Sequence, residues 1–204
     1  PAPPPVLPRW TASHAGKDPA VRLRVLAAEP REDARPRGIA IHKLFEQVEW
    51  IEDFRATDAE LFAALRDLDD PPAESDAREW IADFRAMLQK PHVREALTRP
   101  AGIPREHLTV WRERRFAIVL PEPGRSEPAI LRGSFDRVVL VGPRAAPESA
   151  TILDFKTGEI PNAEAERLKR EAYGEQMEVY RVALANVHPK LKEQIGVRLL
   201  FVNT

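Results

Sequence analysis

The stretch TILDFKTGEI, residues 151–160, sets two opposite charges inside an apolar, strand-forming run. Side chains alternate across a strand, so Ile152, Asp154 and Lys156 share one face while Leu153 and Phe155 share the other. Acid and amine on the same face lie about 7 Å apart along the backbone. A strand end that reaches solvent can carry them as an ordinary cross-face ion pair. A buried one needs a reason, because an ionised group away from water is costly unless it is paired or bound to a cation.

Working outward, LTVWRERRFAIVL (108–120) and AILRGSFDRVVLV (129–141) are rich in β-branched and aromatic residues, and turn-forming EPGRSEP and GPRAAPES separate the three runs. Three strands joined as a meander are expected. AEAERLKREAYGEQMEVYRVALANV (163–187) then reads as a long helix, and GVRLLFVN as a fourth strand that returns beside an earlier one across that helix. Upstream, Ile41, Leu44, Phe45, Val48 and Ile51 recur at helical spacing and predict a helix from about Arg37 to Phe54, with Gly38 at its entrance. A second helix is expected near Asp58–Leu68, ended by DDPP, and a third over ESDAREWIADFRAMLQ with Ser75 as N-cap. PHVREAL makes a further short helical piece. The expected organisation is a proline-rich linker over 1–36 and one α/β domain over 37–204, with a helical annex at 37–100 and a core at 108–204. PAPPPVLP at the start reads as a linker cut from a longer protein.

Composition removes several chemistries. The 204 residues include no cysteine, which excludes disulfides, thiolate zinc, a cysteine nucleophile and a cysteine-held iron–sulfur cluster. Any metal must use oxygen and histidine ligands. No run is long and apolar enough to span a bilayer and no signal peptide is visible, so a cytoplasmic protein without membrane contact is expected. Nothing matches G-x-x-x-x-G-K-[ST], so no nucleotide site is read here. Charge is uneven: residues 46–83 hold thirteen acids against three bases, a local −10 in a chain whose total is −1, leaving +9 elsewhere.

Asp136, in G-S-F-D-R-V on the second strand, is a second acid in an apolar run. It can be an edge acid paired with Arg132 or Arg137, or it can converge with Asp154 on the neighbouring strand, in which case the two carboxylates demand a cation. His42 can be a tolerated helical histidine or a ligand. Gln176 and Tyr180, four apart, share a helix face and can be plain packing. Glu113 can pair with Arg112, Arg114 or Arg115.

Taken in order, GIAIH (38–42), GSFD (133–136), LDFKTG (153–158) and QMEVY (176–180) resemble the RecB family of PD-(D/E)XK nucleases, most closely the nuclease domain at the C-terminal end of RecBCD- and AddAB-type helicase–nuclease subunits. The resemblance runs from Arg37 to Thr204 and includes WRERRF on the first strand. It implies a restriction-endonuclease-like α/β fold and a Mg²⁺-dependent deoxyribonuclease of exonuclease type, with Mn²⁺ accepted and no iron–sulfur cluster. His42, Asp136 and Asp154 are implied metal ligands, joined by the backbone carbonyl of Phe155. Lys156 is implied to orient or deprotonate the attacking water, Gln176 and Tyr180 to support the site and the nearby strand, and Glu113 to serve as a second-metal or supporting residue. The implied partners are DNA, a fused helicase and a second helicase–nuclease subunit, in double-strand-break repair at the nucleoid. A stand-alone repair or defence nuclease and a non-catalytic DNA-binding module are the alternatives.

Two further expectations follow from charge. DNA should approach over the meander and the RLKR turn, near Arg132, Arg137, Arg167, Lys169 and Arg170, away from the acidic helices. Removing the Asp154 charge should leave stability unchanged or slightly higher.

Overall fold

The computed structural model describes residues 36–120, 129–158, 160 and 162–203. The expected linker over 1–36 therefore lies, except for Pro36, outside the described residues. Helices α1 (Pro36–Phe45), α2 (Asp58–Arg66), α3 (Glu74–Met87) and α4 (Pro91–Leu97) precede strands β1 (Leu108–Leu120), β2 (Ala129–Val141) and β3 (Ser149–Lys156). Helix α5 (Ala163–Val187) and strand β4 (Ile195–Phe201) complete the order.

The four strands form one sheet in the order β1-β2-β3-β4. The first three pair antiparallel, as a meander requires, and β4 lies parallel to β3 after the α5 crossover. Each face of the sheet carries its own core. Phe155 and Leu200 pack with Ile41, Leu44, Phe45, Leu61, Phe84 and Leu97 of α1–α4. Ile152, Val138 and Phe135 pack with Val179, Tyr180, Ala183 and Leu184 of α5. The alternation read from TILDFK holds, with Phe155 facing the N-terminal helices and Ile152 facing α5.

Helix α1 stops nine residues short of the expected Phe54, and the sheet supplies the reason. After Phe45 the chain tightens into i→i+3 turns, with Gln47 N–H donating to Leu44 and Val48 N–H to Phe45. The carbonyls that a longer helix would use internally turn to arginines instead. Arg112 donates to Glu46 O at 2.8 Å, and Arg137 donates to Val48 O at 2.9 Å and to Glu49 O. Cations at a helix C-terminus satisfy its last carbonyls and its dipole together. Val48 stays fully buried through this turn, which is why the apolar spacing continued past the helix end. Helix α2 has a full capping box, Thr57 with Glu60. The expected Ser75 cap is not used: α3 begins after Ala73 without a side-chain cap, and the Ser75 hydroxyl bonds Asp76.

Among the described residues Arg137 is the largest fully buried side chain, at 1% exposure, with its guanidinium 5.0 Å from the Trp50 ring centroid. Burial, then the neighbouring Arg112, pushes it down to about 10, so it remains a cation at neutral pH. This corrects its expected place on a DNA-facing surface: Arg137 ties the sheet to the turn after α1. Arg137→Leu leaves the buried Val48 carbonyl and the part-buried Glu49 carbonyl without that donor. We expect it to lower unfolding free energy by roughly 2–4 kcal/mol, read from the urea midpoint; an unchanged midpoint would mean that the tie contributes nothing.

Candidate active site

The site forms where the β2–β3 ladder opens. Pairing runs from Val141↔Ser149 to Arg137↔Leu153. One more step in the same register would set Asp136 opposite Asp154, but the ladder ends there. The Asp136 carboxylate occupies the gap: its Oδ2 accepts the Phe155 N–H at 2.8 Å, so a side chain replaces a backbone carbonyl as the partner of β3. The two acids of the sequence thus flank the mouth of a fork. Asp136 is 6% exposed and Asp154 2%, so neither is a surface carboxylate.

A second irregularity shapes the same place. In β1, Phe116 and Ile118 face α5, yet so does Trp111; in β2, Leu131 and Phe135 face α5, yet so do Val138 and Leu140. Strict alternation cannot put odd and even positions on one face, so both strands change phase between these residues. The register is continuous across the change, from Arg112↔Arg137 to Arg114↔Phe135, with Glu113 between them at φ +45°. A left-handed backbone is unusual for a glutamate and costs free energy, on the order of 1–3 kcal/mol. Nearby, Gly133 is required by packing: a Cβ there would sit 2.6 Å from the Phe116 ring. That accounts for the glycine of GSFD.

Helix α1 brings His42 to the fork. The buried side of α1 (Gly38, Ala40, Ile41, Leu44, Phe45) seats the helix on its core, which leaves the half-buried His42 beside the open end of the ladder. Its Nδ1 is 3.4 Å from Asp136 Oδ2 and 3.8 Å from Glu113 Oε1. One ligand atom from each of His42, Glu113 and Asp136 can be chosen so that all lie within 4.8 Å of one another. Glu113 also accepts a hydrogen bond from the Ser134 hydroxyl at 3.3 Å. Of the arginines these acids could have paired with, Arg112 and Arg137 serve the turn after α1, and both acids turn to His42.

Asp154 lies outside that three-residue group. Its Oδ2 is 2.8 Å from Lys156 Nζ, and this buried pair continues into α5. Lys156 lies 3.4 Å from Gln176 Oε1, and Gln176 Nε2 donates to the Tyr180 hydroxyl at 3.1 Å. Gln176 and Tyr180 are therefore more than packing: they carry a polar chain from the α5 core to the end of β3. Tyr173, which the sequence reading passed over, places its ring 4.1 Å from Lys156 Nζ. Positions 173, 176 and 180 fall three and four apart on α5, so helical spacing alone could have included it. Of Phe155, the backbone N–H is engaged by Asp136.

Electrostatics separates the two acids. Burial works to raise Asp136, but His42, the Phe155 N–H and Lys156 outweigh it and hold that carboxyl below the usual range. Burial, then the charge of Asp136, pushes Asp154 up to about 6 despite Lys156 and His42. Two facing acids that repel each other, with an imidazole beside them, fit a hard divalent cation of the Mg²⁺ or Mn²⁺ type.

The other expected DNA-facing bases differ in exposure and in partners. Arg132 is exposed, Arg167 pairs with Glu171 at 2.6 Å, and Arg170 pairs with Glu166 at 2.7 Å while lying 5.1 Å from the Phe201 ring centroid. Lys169 is half-buried beside it. The acidic stretch is less isolated than its count suggested, because Asp83 pairs with Arg37, Asp58 with Arg85 and Asp53 with Arg99.

With this geometry in place, similarity to known proteins gives the class. Over residues 19–204 the chain matches the PD-(D/E)XK nuclease superfamily, and it belongs to that superfamily. Membership implies a metal-dependent nuclease, and the mixed four-stranded sheet between helices agrees with a restriction-endonuclease-like fold. No protein of curated function matches the chain. No helix among the described residues is long and apolar enough to cross a membrane.

The Asp154–Lys156 pair reverses the expectation that Asp154 can be lost without cost, since removing one partner of a buried pair strands the other. In metal-free buffer, Lys156→Met should lower stability by roughly 3 kcal/mol, because it leaves Asp154 facing Asp136. Asp154→Asn should cost less, since it also removes that repulsion. The double variant should lie nearer to wild type than Lys156→Met does. Urea unfolding of the four proteins reads the cycle, and strict additivity would show that the pair is not coupled.

Proposed function

We propose that this domain hydrolyses DNA phosphodiesters with Mg²⁺, Mn²⁺ being accepted, as the exonuclease module of a helicase–nuclease that acts on double-strand breaks. The observation that carries the proposal is the fork: two buried acids at its mouth, a histidine beside them and a buried lysine on the same strand. The order of GIAIH, GSFD, LDFKTG and QMEVY along the chain supports the RecB-type setting, in which a fused helicase and a second subunit deliver the strand in the bacterial cytoplasm at the nucleoid. Residues 37–204 form the nuclease domain in this reading, with 37–100 as its annex and 108–204 as its core.

In this account His42, Asp136, Asp154 and the Phe155 carbonyl hold the cation, with Glu113 completing or extending the set. When bound, such a cation lowers the pKa of water and neutralises charge on the phosphate. The residues of the chain do the rest. Asp136 keeps β2 and β3 apart while remaining ionised. Lys156, an ammonium on the Asp154 face, donates hydrogen bonds from Nζ that orient the attacking water. Gln176 and Tyr180 fix that ammonium from α5. Lys169 and Arg170, with Arg132 and Arg167, meet the phosphates of the incoming strand.

Titration calorimetry with MnCl₂, run beside cleavage of a labelled duplex and its single strand in Mg²⁺, tests the roles separately. Asp136→Asn and His42→Ala should weaken Mn²⁺ binding at least tenfold, about 1.4 kcal/mol, and abolish cleavage. Lys156→Met should retain Mn²⁺ binding and lose cleavage. Cleavage in excess EDTA, or unaltered Mn²⁺ affinity in both ligand variants, would contradict the assignment. For the DNA surface, reversing Lys169 and Arg170 to glutamate should weaken binding more than reversing Arg66 and Arg78, and the salt dependence should correspond to about two to four phosphate contacts. Equal losses from the two pairs would move the DNA path elsewhere.

A further inference from the structure

Lys156 is 3% exposed, and a buried ammonium must be held on each side from which water is excluded. Asp154 supplies the counter-charge at 2.8 Å and Gln176 a carbonyl oxygen at 3.4 Å. The Tyr173 ring, 4.1 Å from Nζ, presents its π cloud to the same ammonium. That distance is well inside the roughly 6 Å over which a ring face attracts a cation. Tyr173 is half-buried and lies about one helical turn before Gln176, on the side toward the start of α5.

The arrangement has a consequence for a cation held at Asp154. Once the Asp154 charge is shared with that ion, it no longer belongs to Lys156 alone. Gln176 and Tyr173 then keep their hold on the ammonium from α5. An amide oxygen at 3.4 Å is a weak hydrogen-bond acceptor at the edge of the usual range, whereas a ring face at 4.1 Å lies at close range for a cation, and the attraction grows as the cation is desolvated.

We propose that Tyr173 is a positioning residue for the nuclease reaction, holding the Lys156 ammonium over its ring while Asp154 serves the metal. The inference rests on the catalytic role assigned to Lys156 above. The ring rather than the hydroxyl does the holding, so phenylalanine substitutes for tyrosine and leucine does not, although leucine keeps the position apolar.

Three variants and two readouts separate this inference from the reading beneath it. Tyr173→Leu should lower kcat about 10- to 30-fold with KM and Mn²⁺ affinity within about twofold, while Tyr173→Phe stays within about twofold of wild type in all three. Independently of turnover, the Lys156 Hε resonances should be shifted upfield by the ring current in wild type and Tyr173→Phe, and should relax toward the ordinary lysine position in Tyr173→Leu. With Lys156→Met inactive, a Tyr173→Leu enzyme of wild-type kcat, or a Phe variant that falls as far as Leu, overturns the proposal. If Lys156→Met cleaves at the wild-type rate, the role given to Lys156 fails instead, and so does any catalytic positioning by Tyr173. The Hε shift then shows only whether the ring holds the ammonium.

Discussion

The hydrogen bond from Phe155 N–H to the Asp136 carboxylate, 2.8 Å long and buried, is the constraint from which the site follows. It takes the place of the next rung of the β2–β3 ladder and lets the strands part without leaving a backbone donor unsatisfied. Because a charged acceptor makes this bond, it is stronger than the amide–amide bond it replaces. With His42, which contributes more, it also holds Asp136 in its ionised form where Asp154 must face it. Burial, and then the repulsion of Asp136, raise Asp154 to about 6, and the strand register sets both.

The two faces of the sheet contribute unequally to what surrounds the fork. From the N-terminal helices comes His42, whose position depends on where α1 ends, and α1 ends where Arg112 and Arg137 claim the carbonyls of the following turn. From α5 come Tyr180 and Gln176, a polar chain that reaches Lys156 at the end of β3 and is anchored in a core that also holds Phe116 and Phe135. The left-handed Glu113 lies between these layers, and its φ of +45° coincides with the phase change that β1 and β2 share.

Much of this was legible in the chain because it depends on short-range rules. Strand alternation put Asp154 and Lys156 on one face, and helical spacing put Gln176 and Tyr180 together; β-branched runs between turn signals gave the meander. What escaped depends on contacts across the fold. Arg137 looks like any surface arginine beside an acid until the carbonyls of Val48 and Glu49 are brought to it. The apolar spacing of Val48 and Ile51 mimics two more helical turns because the same residues pack in a turn that donates Ile51 N–H to Leu97. The acidic run of 46–83 looked unopposed, because Arg37, Arg85 and Arg99 lie outside it in sequence and against it in space. Tyr173 had the right spacing but no charge to draw attention to it.

The central claim is that the fork between β2 and β3 is a metal site built on Asp136. Anomalous diffraction from crystals soaked in MnCl₂ tests it most directly. The account predicts a strong peak within about 2.5 Å of an Asp136 carboxylate oxygen, at the mouth of the fork and within reach of His42, that disappears in Asp136→Asn crystals. A peak that persists in that variant, or one bound elsewhere with the fork empty, would contradict it.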